Sequence, residues 1–195
     1  VGRERVAGVR VQGKRILATL EWVHAKKVVA TREAEPQGSL AQESLLKLLL
    51  AGRLFKSQIE TSRDALSARA LKATLDASVS PTERELLELE PWLKLRINEL
   101  GVESGSDLAL LSGQDFLAEP LSEWELSELD RGYPRKIVLP DVTYTLSYFP
   151  LRKRVVLRKL QGSRRTPPPL NWLPSLKGFE IVLEDQRGEH LLRRR

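Results

Sequence analysis

The residues of this sequence with the clearest chemical use are seven cations gathered in one short stretch. Within fourteen residues the chain places Arg152, Lys153, Arg154, Arg158, Lys159, Arg164 and Arg165. Tyr144, Tyr148 and Phe149 directly precede them. Cations that follow a phosphate backbone, beside aromatic rings that stack on bases, are typical of single-strand binders built on small barrels. The pattern therefore predicts phosphate contacts from the seven cations and base stacking on Phe149.

Two plainer interpretations apply to the same residues. Tyr144 and Tyr148 share the apolar side of one predicted strand, which favours core positions over base stacking. Cations are also what a solvated edge strand carries, because Lys and Arg discourage pairing with another chain. If Arg152, Arg154 and Arg164 point to different faces, the binding hypothesis loses most of its force.

No other set of residues has the spacing of a catalytic or metal site. Gly13-Lys14-Arg15 has the Gly-Lys pair of a P-loop without the upstream Gly or the Ser/Thr that binds magnesium, which favours a basic turn. His24 and His190 are far apart and lack acidic partners at metal-ligand spacing. Helical spacing indicates a solvated face for four glutamates, namely Glu83, Glu85, Glu88 and Glu90. We therefore predict no catalytic residue, no metal ligand and no cofactor in this chain.

Composition indicates a folded protein of a reducing compartment. The 195 residues are 41% hydrophobic and 30% charged, which is typical of globular proteins. Cys is absent, which excludes disulfides and thiolate chemistry and favours the cytoplasm. No apolar run is long enough to span a bilayer, so we expect no membrane partner. Met is also absent and the chain starts at Val1, from which we expect a piece of a longer polypeptide.

Charge is sorted along the chain into three blocks. Residues 1–80 hold 14 Lys and Arg against 8 Asp and Glu, residues 81–130 hold 3 against 13, and residues 131–195 hold 15 against 5. The net charge of +6 thus hides an acidic block between two basic ones. Such sorting favours separate surfaces, the last of them suited to a polyanion.

Hydrophobic periodicity divides the chain at nearly the same places. We predict a β-rich segment over residues 1–36, a helical domain over 37–130 and a small basic β domain over 131–195. The fold class is α+β: a central all-helical block flanked by, or inserted into, a small antiparallel OB-like β-barrel. Either the three pieces lie in series, or strands from residues 1–36 complete the barrel.

Three capping boxes set the predicted helix starts. A hydroxyl that accepts an orphan amide, followed three residues later by Glu or Gln, occurs at Ser39, Thr82 and Ser122. The leucines of residues 45–50 are apolar around most of a helix and are expected to be buried. Pro91 is expected to bend or end the helix that starts at Thr82.

The order of these segments resembles the region that follows the motor domains in bacterial DEAH-box helicases of the HrpB type. The likeness spans roughly residues 16–192 and depends on the order of short motifs. They are residues 16–34, residues 45–54, Ser67-Ala68-Arg69, Glu90-Pro91-Trp92-Leu93, Asp107-Leu108, Leu129-Asp130, Leu139-Pro140 before the strand at 144–148, and Leu160-Gln161-Gly162. Asp141-Val142 stands where the family has Ser-Gly, and the family's ATPase motifs are absent from this chain.

The resemblance implies a non-catalytic accessory region on the carboxyl-terminal side of an ATP-dependent helicase. Its partners would be single-stranded RNA or DNA and the motor domains of the same polypeptide. ATP and magnesium would bind only in those motor domains, which hydrolyse the nucleotide. Such regions are expected to cap the motor and form one wall of the channel for the single strand.

The residues by themselves leave other functions open. A protein–protein interaction module would use the acidic block to dock a basic partner or the motor domains, and would offer Pro167-Pro168-Pro169 as a polyproline ligand. Salt weakens both kinds of binding, whereas competition with single-stranded DNA or RNA separates them. An enzyme of unrecognised kind is a third hypothesis, disfavoured by the absence of Cys and the presence of only two His.

Overall fold

The chain folds into two compact units. A computed structural model describes residues 2–75, 78–176, 178–186 and 188–194. Unit 1 comprises Val1–Asp64 and Glu88–Glu119, and unit 2 comprises Ala65–Leu87 and Pro120–Arg195. Each unit contains one β-sheet together with helices, so the coarse prediction of an α+β fold is confirmed.

Strands lie at both ends of the chain and helices in its middle. The strands are β1 Arg3–Gln12, β2 Arg15–His24, β3 Lys27–Ala34, β4 Lys136–Val138, β5 Val142–Phe149, β6 Arg154–Gly162, β7 Glu180–Asp185 and β8 Gly188–Arg193. The α-helices are α1 Ser39–Leu50, α2 Lys56–Leu75, α3 Pro81–Glu85, α4 Leu89–Glu99 and α5 Glu123–Gly132. Short 3-10 helices cover Gly105–Leu110, Gly113–Phe116, Pro150–Arg152 and Leu170–Trp172.

The two ends of the chain form separate sheets. Strands β1, β2 and β3 make a three-stranded antiparallel meander, and β4 to β8 make a five-stranded sheet in sequence order. Neighbours in the larger sheet are antiparallel, except β6 and β7, which are parallel. Among the described residues neither sheet closes on itself, and no strand of residues 1–36 joins the larger sheet. The predicted barrel is therefore not observed, because each sheet instead buries its apolar side within its own unit.

The core of unit 1 lies between the start of β2 and helices α1 and α4. Its most enclosed members, each at most 1% exposed, are Ile16, Ala41, Leu45, Leu48, Leu49, Leu93, Ile97, Val102 and Phe116. The leucines of residues 45–50 are buried as predicted, except Leu50 at the helix end, which is 37% exposed. The ring of Phe116 stacks on that of Phe55 with centroids 5.6 Å apart.

The core of unit 2 lies on one face of the five-stranded sheet. The predicted alternation in β5 is confirmed, since Val142, Tyr144, Leu146 and Tyr148 are each at most 5% exposed. They pack with residues of β6, β7, α2 and α5, namely Val155, Leu157, Ile181, Leu183, Leu71 and Leu129. The sheet is thus covered by the second half of α2 and by α5.

The predicted helix starts are right for one helix and displaced for two. The capping box of α5 forms as predicted. Helix α3 starts earlier than Thr82: Ser80 is its N-cap and Glu83 completes the box. The reason is Pro81, whose missing amide and fixed φ suit the first helical position.

Helices α1 and α4 start in ways that the sequence did not predict. The N-cap of α1 is Gly38, with no side-chain bond, so the prediction for Ser39 was wrong. The chain leaves helical geometry at Glu88, and Pro91 lies in the first turn of α4, where a missing amide breaks no intrahelical bond.

The helical segment is distributed between the units. Of residues 37–130, helices α1 and α4 belong to unit 1, whereas α3 and α5 belong to unit 2. Helix α2 contributes Lys56 to Asp64 to unit 1 and its remaining residues to unit 2. No helix in the described part of the chain is long and apolar enough to cross a membrane.

Candidate nucleic-acid interface

Strand β6 places the predicted binding residues on both faces of the five-stranded sheet. Arg154 lies opposite Phe149 and Arg158 opposite Thr145, on the face turned away from the core. Lys159 follows on the core side, since successive side chains of a strand alternate. Arg158 and Lys159, which are adjacent in the sequence, therefore lie on opposite faces of the sheet.

The two arginines on the outer face are paired with carboxylates. Arg154 is bonded to Glu189 of β8, and Arg158 Nη2 lies 2.7 Å from Glu184 Oε2 of β7. A phosphate that approaches either guanidinium has to compete with a carboxylate already in place. These two residues therefore offer less positive charge to a polyanion than the sequence suggests.

Three of the seven cations lie in the last part of β6 or just after it. We call these residues, Lys159, Arg164 and Arg165, the basic corner. Lys159 Nζ donates to the backbone carbonyl of Arg164 at 2.9 Å. The Arg164 side chain is only 14% exposed, because its guanidinium lies 2.9 Å from Asp141 and 5.0 Å above the Trp172 ring centroid. Arg164 thus holds the corner together, while Lys159 and Arg165 are exposed.

Gly162 makes the basic corner possible. Its φ is 121°, and a Cβ there would lie 2.4 Å from the carbonyl oxygen of Asp141 and 2.5 Å from Val142 Cα. Only glycine fits this close approach. Ser163 N then donates to the Asp141 carbonyl at 3.0 Å. Asp141 therefore fixes the loop twice, through its carboxylate and through its backbone.

Two further cations lie in the tight turn between β5 and β6. A 3-10 helix, Pro150–Arg152, leads into Lys153, which adopts a left-handed φ of 47°. The Lys153 carbonyl accepts from Glu180 N at 2.8 Å, which ties the turn to β7. Phe149 beside it is 39% exposed. At about 3.3 Å per residue, roughly 20 Å of strand separates Lys153 from Lys159.

Tyr144 and Tyr148 are core residues and not stacking platforms. They are 2% and 5% exposed, and Tyr148 Oη donates to the Pro134 carbonyl at 2.8 Å. Burial raises the pKa of both hydroxyls. Of the three aromatic residues singled out in the sequence, Phe149 alone reaches the surface.

The polar residues that the sequence assigned to turns and helix faces serve local structure. His190 Nε2 lies 3.2 Å from Asp185 Oδ1. The hydroxyl and backbone amide of Ser80 bond to Glu83 and lower the pKa of that carboxyl, the opposite of the shift that a catalytic acid needs. Within the described ranges no cluster of three or more His, Asp and Glu could hold a metal ion.

A second basic and aromatic surface lies in the segment that the sequence predicted only as β-rich. We call residues 22–30 the hairpin tip, the part of β2 and β3 that surrounds their connecting turn. Trp22 is 44% exposed there, and Lys26 and Lys27 are exposed. The available signal was a Trp and three basic residues in a stretch, residues 22–32, that has no Asp or Glu.

The seven predicted cations therefore fall into three groups. Lys159, Arg164 and Arg165 meet in the basic corner, Arg152 and Lys153 lie in the β5–β6 turn, and Arg154 and Arg158 are paired with glutamates. No family model, no curated protein and no solved structure matches the chain.

Proposed function

We propose that this chain is a non-catalytic accessory region that binds single-stranded RNA or DNA through the basic corner and the exposed residues around β6. The observation that carries the proposal is the basic corner, where Arg164 pairs with Asp141 and Lys159 donates to the Arg164 carbonyl. In the part of the chain that the structure describes, Lys159 and Arg165 have no carboxylate partner. Their charge is available to phosphate.

The β5–β6 turn extends the proposed surface along the strand. Arg152 and Lys153 are exposed there beside Phe149, whose ring offers a face on which any base can stack. Phosphate contacts give affinity without sequence preference and weaken as salt rises. The expected behaviour is sequence-tolerant binding of a strand several nucleotides long.

The wider setting of the proposal comes from the resemblance to HrpB-type helicases. In that setting the motor domains of the same polypeptide bind ATP and magnesium, hydrolyse the nucleotide and contact this region. The cytoplasm is the proposed location, in keeping with a chain that has no Cys. The OB-like barrel also belongs to the proposal: closure would pair β4 with β8, the two edges of the five-stranded sheet.

Fluorescence anisotropy with a labelled single strand, of RNA and of DNA, across a salt series tests the proposal. The double variant Lys159→Gln/Arg165→Gln should weaken binding about tenfold near physiological salt, because each phosphate contact on a single strand contributes about 0.7 to the salt slope. The slope itself should fall by about 1.4.

The matched control is Lys56→Gln/Arg131→Gln, which removes the same charge from side chains that are 71% and 75% exposed elsewhere. It should bind as the wild type does, apart from a small general effect of net charge. A wild-type chain that fails to bind at low salt overturns the proposal. So does equal weakening by the two double variants.

One observation favours a second candidate, a docking module for a basic partner protein or the motor domains. Trp124 on the acidic helix α5 is 72% exposed, and its neighbours Glu123 and Glu128 are exposed too. The proline run is a poorer ligand, since Pro168 is buried. Competition decides: a protein partner that docks on α5 should not be displaced by an excess of single-stranded oligonucleotide, and Trp124→Ala should weaken its binding.

A further inference from the structure

The hairpin tip extends beyond the core of unit 1. Along one face of β2, Ile16, Ala18 and Leu20 are at most 3% exposed, whereas Trp22 at the next position is 44% exposed. Every residue of β3 from 27 to 33 is exposed. Ala25 and Lys26, with φ of 47° and 66°, form the tight turn that joins the two strands. The sheet therefore carries an open face at the end where it leaves its core.

The Trp22 indole is held against backbone on one side of the hairpin tip. A Cβ on Gly2 would lie 2.7 Å from Trp22 Nε1, so the Gly2 backbone lies directly against the ring. The cross-strand neighbours of Trp22 are Ala30 in β3, which has a small side chain, and Glu4 in β1, which is paired with Arg32. A ring that is fixed in this way and partly exposed can stack on a base with little loss of side-chain entropy.

Cations flank the indole. His24 pairs with Lys27 across the two strands, one step beyond Trp22 on the same face, and Lys26 occupies the turn. Among the described residues no carboxylate pairs with Lys26 or Lys27. The tip thus combines an aromatic face with positive charge that is not neutralised.

The acidic side chains of the three-stranded sheet, including Glu4 opposite Trp22, are all paired with arginines. Each has an arginine partner: Glu4 with Arg32 at 2.8 Å, Glu21 with Arg5 at 2.7 Å and Glu33 with Arg10 at 2.5 Å. The charges of these carboxylates are compensated, so they do not repel a phosphate at the tip. Charge complementarity therefore favours a polyanion as the ligand of this face.

We propose that the hairpin tip is a second contact for single-stranded nucleic acid, in which a base stacks on Trp22 and the adjoining phosphates contact Lys26 and Lys27. This inference rests on the proposed function and adds to it a site in unit 1 that shares no residue with the basic corner. Stacking on an indole tolerates any base, so the tip adds affinity without sequence preference.

The test is the same anisotropy measurement on the full chain with two tip variants. Trp22→Ala should weaken binding roughly 5- to 100-fold, the range measured for the loss of one base–aromatic stack. Leu110→Ala removes a more exposed apolar side chain from a 3-10 helix of the same unit and should leave affinity unchanged. Lys26→Gln/Lys27→Gln keeps the indole and should lower the salt slope by about 1.4.

The outcomes separate this inference from the proposed function. Wild-type affinity in both tip variants, with weaker binding in Lys159→Gln/Arg165→Gln, overturns the hairpin tip and keeps the basic corner. Absence of binding by the wild-type chain overturns both. Light scattering on the same samples addresses a different occupant: tip variants that change the oligomeric state without changing affinity would assign the tip to a second copy of the chain, and would overturn the inference.

Discussion

The two sheets of this molecule differ in how much of each face is buried and in how their charged side chains are paired. The five-stranded sheet buries one face along β5 and in the buried parts of β6 and β7, and two arginines on its other face are paired with glutamates. The three-stranded sheet buries Val6 of β1 and one side of β2 as far as Leu20. Its tip carries a tryptophan and two lysines that, among the described residues, have no carboxylate partner. The first sheet is mainly a scaffold, and the second ends in an accessible surface.

The difference shows that the density of cations in a sequence is a poor measure of the charge a ligand meets. In β6, strand register sets Arg154 and Arg158 beside acidic partners from β8 and β7. The hairpin tip has fewer cations, but within the described residues Lys26 and Lys27 have no carboxylate partner. The free charge on a sheet therefore depends on which strands are neighbours.

The largest expected effect is a loss of stability caused by a substitution in the core of the five-stranded sheet. Leu157→Ala in β6 removes a side chain that is 0% exposed in the core of unit 2, and should lower the free energy of unfolding by about 2–5 kcal/mol. Trp22→Ala at the hairpin tip should change it by less than about 1 kcal/mol, since a half-exposed side chain leaves no cavity. Urea unfolding followed by circular dichroism measures both. Equal losses would remove the distinction between the two sheets.

The next effect separates a structural cation from a binding cation within the basic corner. Arg164→Ala leaves Asp141 without its partner and uncovers Trp172, which should lower the free energy of unfolding by about 1–3 kcal/mol. Arg165→Ala should stay within about 0.5 kcal/mol of the wild type because the side chain is exposed. Thermal unfolding of the two variants checks this. Similar midpoints for both would show that the corner is not held by Arg164.

Local patterns made much of the fold predictable. The period of two in β5 gave the buried face that contains Tyr144 and Tyr148, and the leucines of α1 were recognisable as a buried helix. These signals lie within one element and follow from backbone geometry alone. The capping box of α5 was equally local, with its two partners three residues apart.

Non-local pairing was beyond the reach of the sequence. The bond between Arg154 and Glu189 joins residues 35 positions apart, and it exists only because β6 runs parallel to β7 and β8 returns alongside. The covering of the larger sheet by α2 and α5 likewise depends on packing between residues far apart in the sequence. The hairpin tip went unnoticed as a surface because its exposure depends on where the core ends.

A moderate effect concerns the hydroxyl group at the centre of the scaffold. Tyr148→Phe should cost about 1 kcal/mol of stability at neutral pH, because the Pro134 carbonyl loses its donor. Burial raises the pKa of Tyr148, so the stability linked to its neutral form is complete below the ordinary tyrosine pKa near 10 and is lost as pH rises above it. Urea midpoints across the alkaline range should fall less steeply for the variant than for the wild type. Parallel curves would contradict the burial of this hydroxyl.

The smallest effect concerns an ion pair between two helices of unit 2. It tests whether charge pairing stabilises the helices as well as the sheet. Lys72 of α2 bonds to Glu125 of α5, and this contact, with the Ser122 amide, lowers the pKa of Glu125 to about 2. A lowered carboxyl pKa stabilises the fold above the ordinary glutamate value near 4.3, and that stability is lost as pH falls towards 2. The difference in thermal midpoint between wild type and Glu125→Gln should therefore be constant at neutral pH and vanish between about pH 4 and pH 2. Glu123→Gln shares the first turn of the same helix, and therefore its dipole, but lacks the lysine, so it should show little of this dependence. If both variants lose their difference from the wild type in the same acidic range, the helix dipole explains the effect and the bond from α2 to α5 adds nothing.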